Sequence, residues 1–178
     1  MISEWLQLLG YLVEIGVPLP GTGKGGRQEA DVVGVKVNET TEGQKVLQIY
    51  HVEVGELPRG HAVNVEKLRG KFSNARTQAI VSRFQNRIGF IQPVQYKKIY
   101  VDIWPTQRKV DKLMDNENIK QEGIEVWTPR DLFQKVLRTI VQWIPEHKPK
   151  LGEATLPESY WMLKQLEHLR LWGLLNID

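Results

Sequence analysis

Apolar residues recur at two spacings along the chain, and the change from one to the other marks out its elements. Trp5, Leu8, Leu9, Leu12 and Val13 fall at helical intervals behind Ser3, which can cap, so a helix is predicted from Glu4 to Gly16. Residues 18–27, PLPGTGKGGR, read as a loop. Two β-rich runs follow, EADVVGVKV from Glu29 and KVLQIYHVEVG ending at Gly55, joined by NETTEGQ, and the pair predicts a hairpin. With the turn centred near residue 42, paired positions sum to about 84, which sets Asp31 opposite Glu53. These two acids share a face with Val33, Val35, Val37, Leu47, Ile49 and His51. The other face carries Val32, Gly34, Lys36, Val46, Gln48, Tyr50, Val52 and Val54. Both faces are largely apolar, so the sheet is expected to be covered on both sides.

Beyond the hairpin, Asn64 caps a predicted helix running to about Asn86, with Leu68, Phe72, Ala75, Ala79, Ile80 and Phe84 as its apolar stripe. Lys98–Trp104 reads as a strand, Thr106–Met114 as a short helix and IEVW as a short strand. Thr128 and Pro129 open a helix to about Ile144. Residues 145–154 read as a linker, and Leu156–Leu175 as a final amphipathic helix that packs on the rest. This order predicts an α/β fold, a mixed central sheet flanked by helices with an extra C-terminal helix. The domain boundaries expected are a core over residues 1–144 and a linker plus packing helix over 145–178.

Composition removes several kinds of chemistry. The absence of cysteine excludes disulfides, thiolate catalysis and cysteine-ligated zinc. The four histidines show no metal-ligand spacing, and there is no GxSxG nucleophile elbow. Gly21, Gly23 and Gly26 have GxGxxG spacing, but they follow a helix and open a strand, the reverse of a dinucleotide-binding turn. A glycosidase would use two carboxylates but leaves the basic segment unexplained. No apolar run is long enough to span a bilayer, and Glu4 and Glu14 make the first segment unlike a cleavable signal, so a cytoplasmic location is expected.

Charge is unevenly spread. Arg59 to Lys109 holds eleven Lys or Arg against two acids, Glu66 and Asp102, within a chain of net charge +3. Such a segment is the footprint of a polyanion partner, or else a solvated helix face. Its candidate phosphate contacts are Arg69, Lys71, Arg76 and Arg83 on the basic helix, with Lys24 and Arg27 in the preceding loop. Asp31 and Glu53 are the candidate chemistry. Carboxylates on an apolar face need a partner, a proton or a metal ion, unless they sit at strand ends in water.

Taken in order, an early helical Glu4, Asp31 on one strand, Glu53 in the apolar VEVG, a basic helix and a further strand resemble the PD-(D/E)xK nuclease superfamily, which includes restriction endonucleases and archaeal Holliday-junction resolvases. The resemblance spans roughly residues 3–144 and includes the IEVW strand and the TPRDLFQKVLRTI helix. It implies a restriction-endonuclease-like core and metal-dependent hydrolysis of DNA phosphodiester bonds. It also implies a magnesium or manganese ion held by Asp31, Glu53 and the Val54 carbonyl, with Glu4 as an outer ligand through water. Members of the superfamily often form homodimers. Where the family has lysine two residues after the Glu, this chain has Gly55. Lys67 and Lys71 on the basic helix are the candidate substitutes. Gln78 is a weaker one, and Lys36 faces away. If nothing replaces the lysine, the expectation becomes a catalytically inactive nuclease-like domain that binds nucleic acid or serves as a subunit of a larger assembly.

Overall fold

The computed structural model describes residues 1–19, 28–58, 60–151, 156 and 159–173, the side chains of 144–151 and 170 excepted. Its elements are α1 (Ile2–Leu8), β1 (Leu12–Pro18), β2 (Glu29–Glu39), β3 (Lys45–Gly55), α2 (His61–Lys71), α3 (Asn74–Ile88), β4 (Val94–Asp102), α4 (Gln107–Met114), α5 (Glu117–Gln121), β5 (Ile124–Trp127), α6 (Pro129–Leu151) and α7 (Trp161–Leu171). The fold is α/β, with a five-stranded mixed sheet in the order β1-β2-β3-β4-β5 flanked by helices. β1, β2 and β3 form an antiparallel meander, and β4 and β5 continue it in parallel.

The hairpin has the register its turn implies. Val33 pairs with His51 and Val35 with Ile49, and Gly43 takes the left-handed conformation the turn needs (φ 77°). Side chains alternate between two helical layers. Val32, Val52, Ile99, Val101 and Trp127 pack on α1, α6 and α7, where Leu6, Val136, Leu137, Ile140, Leu163 and Leu166 are buried. The opposite face packs on α2 to α5: Tyr100, Ile124 and Val126 meet Leu68, Phe72, Leu113 and Ile119, while Val33, Val35, Leu47 and Ile49 meet Ile80 and Phe84. Leu163 and Leu166 of α7 are buried in the layer with α1 and α6. None of the described helices is long and apolar enough to cross a membrane.

Several boundaries differ from the sequence reading: α2 starts at His61, with Asn64 inside its first turns rather than capping it, and the last helix is Trp161–Leu171 rather than Leu156–Leu175. The first helix ends at Leu8, because Gly10 adopts φ 83° and its N–H bonds back to the Gln7 carbonyl, and Leu12–Pro18 becomes the edge strand β1. Leu12 and Val13 satisfy a helical spacing, but the alternating LVEIGVP pairs with β2 instead. The long basic helix is two helices, broken where Phe72 turns into the core and Ser73 takes an extended conformation. The strand read as Lys98–Trp104 runs instead from Val94 to Asp102, in register with β3 from Leu47 onward. A short helix, α5, forms behind Asn116, whose side chain accepts the N–H groups of Asn118 and Ile119. α6 continues to Leu151 through residues read as a linker, since a helix anchored by Leu132, Val136, Leu137 and Ile140 extends at one hydrogen bond per added residue.

Candidate active site

The β2–β3 ladder stops at Val32↔Val52, and the next residues on each strand are the two acids. Asp31 keeps to the strand path, but its carboxylate Oδ2 accepts the Val54 N–H at 2.7 Å. In a strand the N–H and C=O of one residue point to the same side, so the Val54 carbonyl also faces β2. The Gly55 carbonyl points the other way and accepts the Ile103 N–H at 3.0 Å.

Glu53 is fully buried and both of its oxygens are engaged. Oε1 lies 2.9 Å from His51 Nε2, and Oε2 accepts the Lys71 ammonium. The chain extends one step further, with the Tyr96 hydroxyl 3.0 Å from His51 Nδ1. Burial first, then the Glu53 charge, pushes the Tyr96 hydroxyl far above its ordinary range, so it stays protonated. His51 thus bridges Tyr96 and Glu53 through its two ring nitrogens, and its tautomer sets which of the two contacts it donates. Phe72 closes the arrangement with its ring edge-on to His51, centroids 4.8 Å apart. Burial pushes the Glu53 carboxyl up, but the hydrogen bonds from His51 and Lys71, and then their charges, together outweigh it and hold the group below the usual carboxylate range.

Of the two lysines expected to replace the family's, Lys71 meets the acid. Lys67 donates instead to the Glu56 carbonyl at 2.6 Å. The helix break explains the choice. Lys71 is the last residue of α2, beside the buried Phe72, and Ser73–Asn74 inside the apolar run is the cap signal that could have located the break. Gln78 lines a separate cavity with Tyr96 and Lys98, and Lys36 donates to the Leu9 carbonyl at 2.9 Å. Above Gly55 stands a tyrosine: a Cβ there would lie 3.0 Å from the Tyr100 hydroxyl oxygen. That hydroxyl is pushed up to about 12, by burial first and then by Asp102, Glu53, Asp31 and Glu56. It remains a neutral donor amid four carboxylates.

The sequence reading passed over Asp102. It is fully buried at the end of β4, in register with Gly55, with its Oδ2 2.6 Å from Lys109 Nζ. That contact is an ion pair rather than a directed hydrogen bond, and Oδ1 accepts the Trp104 N–H at 3.2 Å. The signal was available: an acid ending an apolar strand whose neighbour runs parallel, at the carboxyl end where open α/β sheets hold ligands.

Other predicted residues lie elsewhere. Glu4 is not an outer ligand to the acid pair. Its carboxylate accepts the N–H groups of Met162 and Leu163 at 3.5 and 3.1 Å, at the start of α7 on the opposite side of the sheet, where a helix N-terminus attracts negative charge. Arg69 pairs with Glu122, and Glu14 on β1 takes both Arg83 and Arg87, so two of the predicted phosphate contacts, Arg69 and Arg83, are neutralised within the chain. Arg76 donates to the Lys71 carbonyl at 3.3 Å and to Gln28. Lys24 and Arg27 lie outside the described residues.

Among the described residues no three His, Asp or Glu side chains form a ready metal cage. The donor chemistry nonetheless suits magnesium, which prefers oxygen, keeps several waters and needs one or two carboxylates besides a substrate phosphate. Asp31 and Glu53 with the Val54 carbonyl are such a set. No protein-family model, curated protein or solved structure matches the chain.

Proposed function

We propose that the chain is a metal-dependent nuclease with a restriction-endonuclease-like core that hydrolyses DNA phosphodiester bonds. The observation that carries this reading is the Lys71 ammonium on the Glu53 carboxylate, on the face Asp31 shares. It supplies from a helix the cation that Gly55 lacks. Asp31, Glu53 and the Val54 carbonyl would hold magnesium or manganese, which when bound polarises a phosphate and lowers the pKa of a water. Lys71 would then neutralise charge developing on the phosphoryl oxygens. His51, fixed by Tyr96, holds Glu53 in place, and the neutral Tyr100 hydroxyl offers a donor above Gly55.

The test is cleavage of labelled DNA with magnesium or manganese. Asp31→Ala and Glu53→Ala are expected to abolish cutting, and Lys71→Met to slow it by about 100-fold. Metal-dependent cutting that survives either alanine variant would overturn the site. A second reading, an inactive nuclease-like domain that binds nucleic acid, is favoured by one feature: His51 and Lys71 already occupy both oxygens of Glu53. It predicts metal-independent, salt-sensitive DNA binding with no cutting under either metal.

A further inference from the structure

A second cavity, of about 290 Å³, opens between the first turns of α2 and α4. Gly60, His61 and Asn64 line it from α2, and Thr106, Arg108 and Lys112 from α4. No acid lines it. Neither helix start has a side-chain cap. In α2 the Asn64 N–H is the first to find its partner, the Gly60 carbonyl at 3.1 Å, and in α4 the Lys109 N–H bonds the Thr106 carbonyl at 2.9 Å. Among the described residues the earlier amide groups of both helices find no acceptor, and the positive ends of two helix dipoles meet at the cavity.

Asn64 is the independent sign of a ligand. Its side chain is 1% exposed, lines the cavity, and leaves Oδ1 buried without a hydrogen-bond partner. Turning the carboxamide over presents its NH₂ to an acceptor instead. The cations divide by commitment. Lys109 is held by Asp102 and the carbonyls of Leu57 and Trp104, whereas Arg108 and Lys112 are exposed and make no ion pair among the described residues. Asn116 donates to His61 Nε2, which leaves Nδ1 as the protonated nitrogen of the neutral ring. Open backbone amides, an idle buried carboxamide and two unpaired cations amount to a cradle for a compact anion with several acceptor oxygens.

We propose that this cavity binds a phosphate group, either free or carried by a nucleic acid. The site needs neither Asp31 nor Glu53, so it stands independently of the nuclease reading. Inorganic phosphate, titrated at constant ionic strength against chloride, is expected to shift the amide resonances of His61, Ala62, Gln107 and Arg108 saturably. The surface variant Arg108→Ala/Lys112→Ala, which leaves the core untouched, should weaken phosphate by at least about tenfold. Asn64→Asp, which puts a carboxylate in the cradle, should remove binding. Absence of saturable binding to the wild-type chain, or unchanged affinity in the double surface variant, overturns the proposal. A second titration with short single-stranded DNA separates the sources. DNA that competes with phosphate and weakens in the same variant marks the site as a nucleic-acid phosphate pocket. Phosphate binding that DNA does not displace marks it as a site for the free anion.

Discussion

On one side of the sheet, Trp5, Leu6, Val52, Ile99 and Trp127 pack against the apolar stripes of α1, α6 and α7. On the other, buried His51, Glu53, Asn64 and Asp102 sit among equally apolar neighbours such as Leu68, Phe72 and Tyr100. The first side holds one buried carboxylate among the described residues, Glu167 on α7, and otherwise needs only volume and shape to be right. The second keeps charges out of water, and each must be matched by a partner from a different element: Lys71 for Glu53, Lys109 for Asp102. Buried charges add little net stability even when well paired, so Glu53 and Asp102 with their lysines do little to hold the fold.

Substitutions separate the two sides. Ile140→Ala, in the fully buried stripe of α6, is expected to cost about 4 kcal/mol in urea unfolding while leaving cleavage per folded molecule unchanged. A loss of activity beyond the loss of folded protein would show that the faces are coupled. Lys71→Met should cost about 3 kcal/mol, the lower end for breaking a buried pair, because the lysine side chain keeps 30% of its surface exposed. Adding Glu53→Gln to Lys71→Met should recover most of that stability and none of the activity. Equal stability of the single and double variants would mean the pair does not bear on folding.

Acid should expose the same asymmetry. Glu53 titrates below its ordinary value of 4.5 in the folded chain, so its contribution is complete above that value and is lost as pH falls through the lower folded-state value. The melting temperature of the wild type should therefore fall toward that of Glu53→Gln between neutral pH and the acid limit. A gap that stays constant would contradict the depressed carboxyl. The smallest effect belongs to Glu4→Gln. Weakening the charge at the start of α7 should cost about 0.5 kcal/mol in unfolding experiments and leave cleavage unaltered. A large loss of cleavage would return Glu4 to the site.

Much of the acid site was legible in the residues because hairpin pairing is local. A polar turn between two β-rich runs fixed the Val33↔His51 register and hence set Asp31 and Glu53 just beyond its last pair, Val32↔Val52. The same arithmetic failed at Leu12 and Val13, whose spacing fits a helix and a strand alike, and Gly10 decided between them. Gly55 read as a defect because a sequence shows which side chain is missing and not what fills its place. Tyr100 reaches that space from the neighbouring strand, and Lys71 reaches the acid from a helix that ends earlier than its periodicity suggests.

The sequence by itself determined the alternation of elements, the hairpin and the placing of two acids on one apolar face, since these depend on backbone preference and on residues close in the chain. Only the tertiary structure decided which lysine answers Glu53, that Asp102 joins the same end of the sheet, that Glu4 serves α7, and that two uncapped helices open on one cavity. Those contacts join elements far apart along the chain. They follow from the burial of whole faces, which no local pattern of residues specifies.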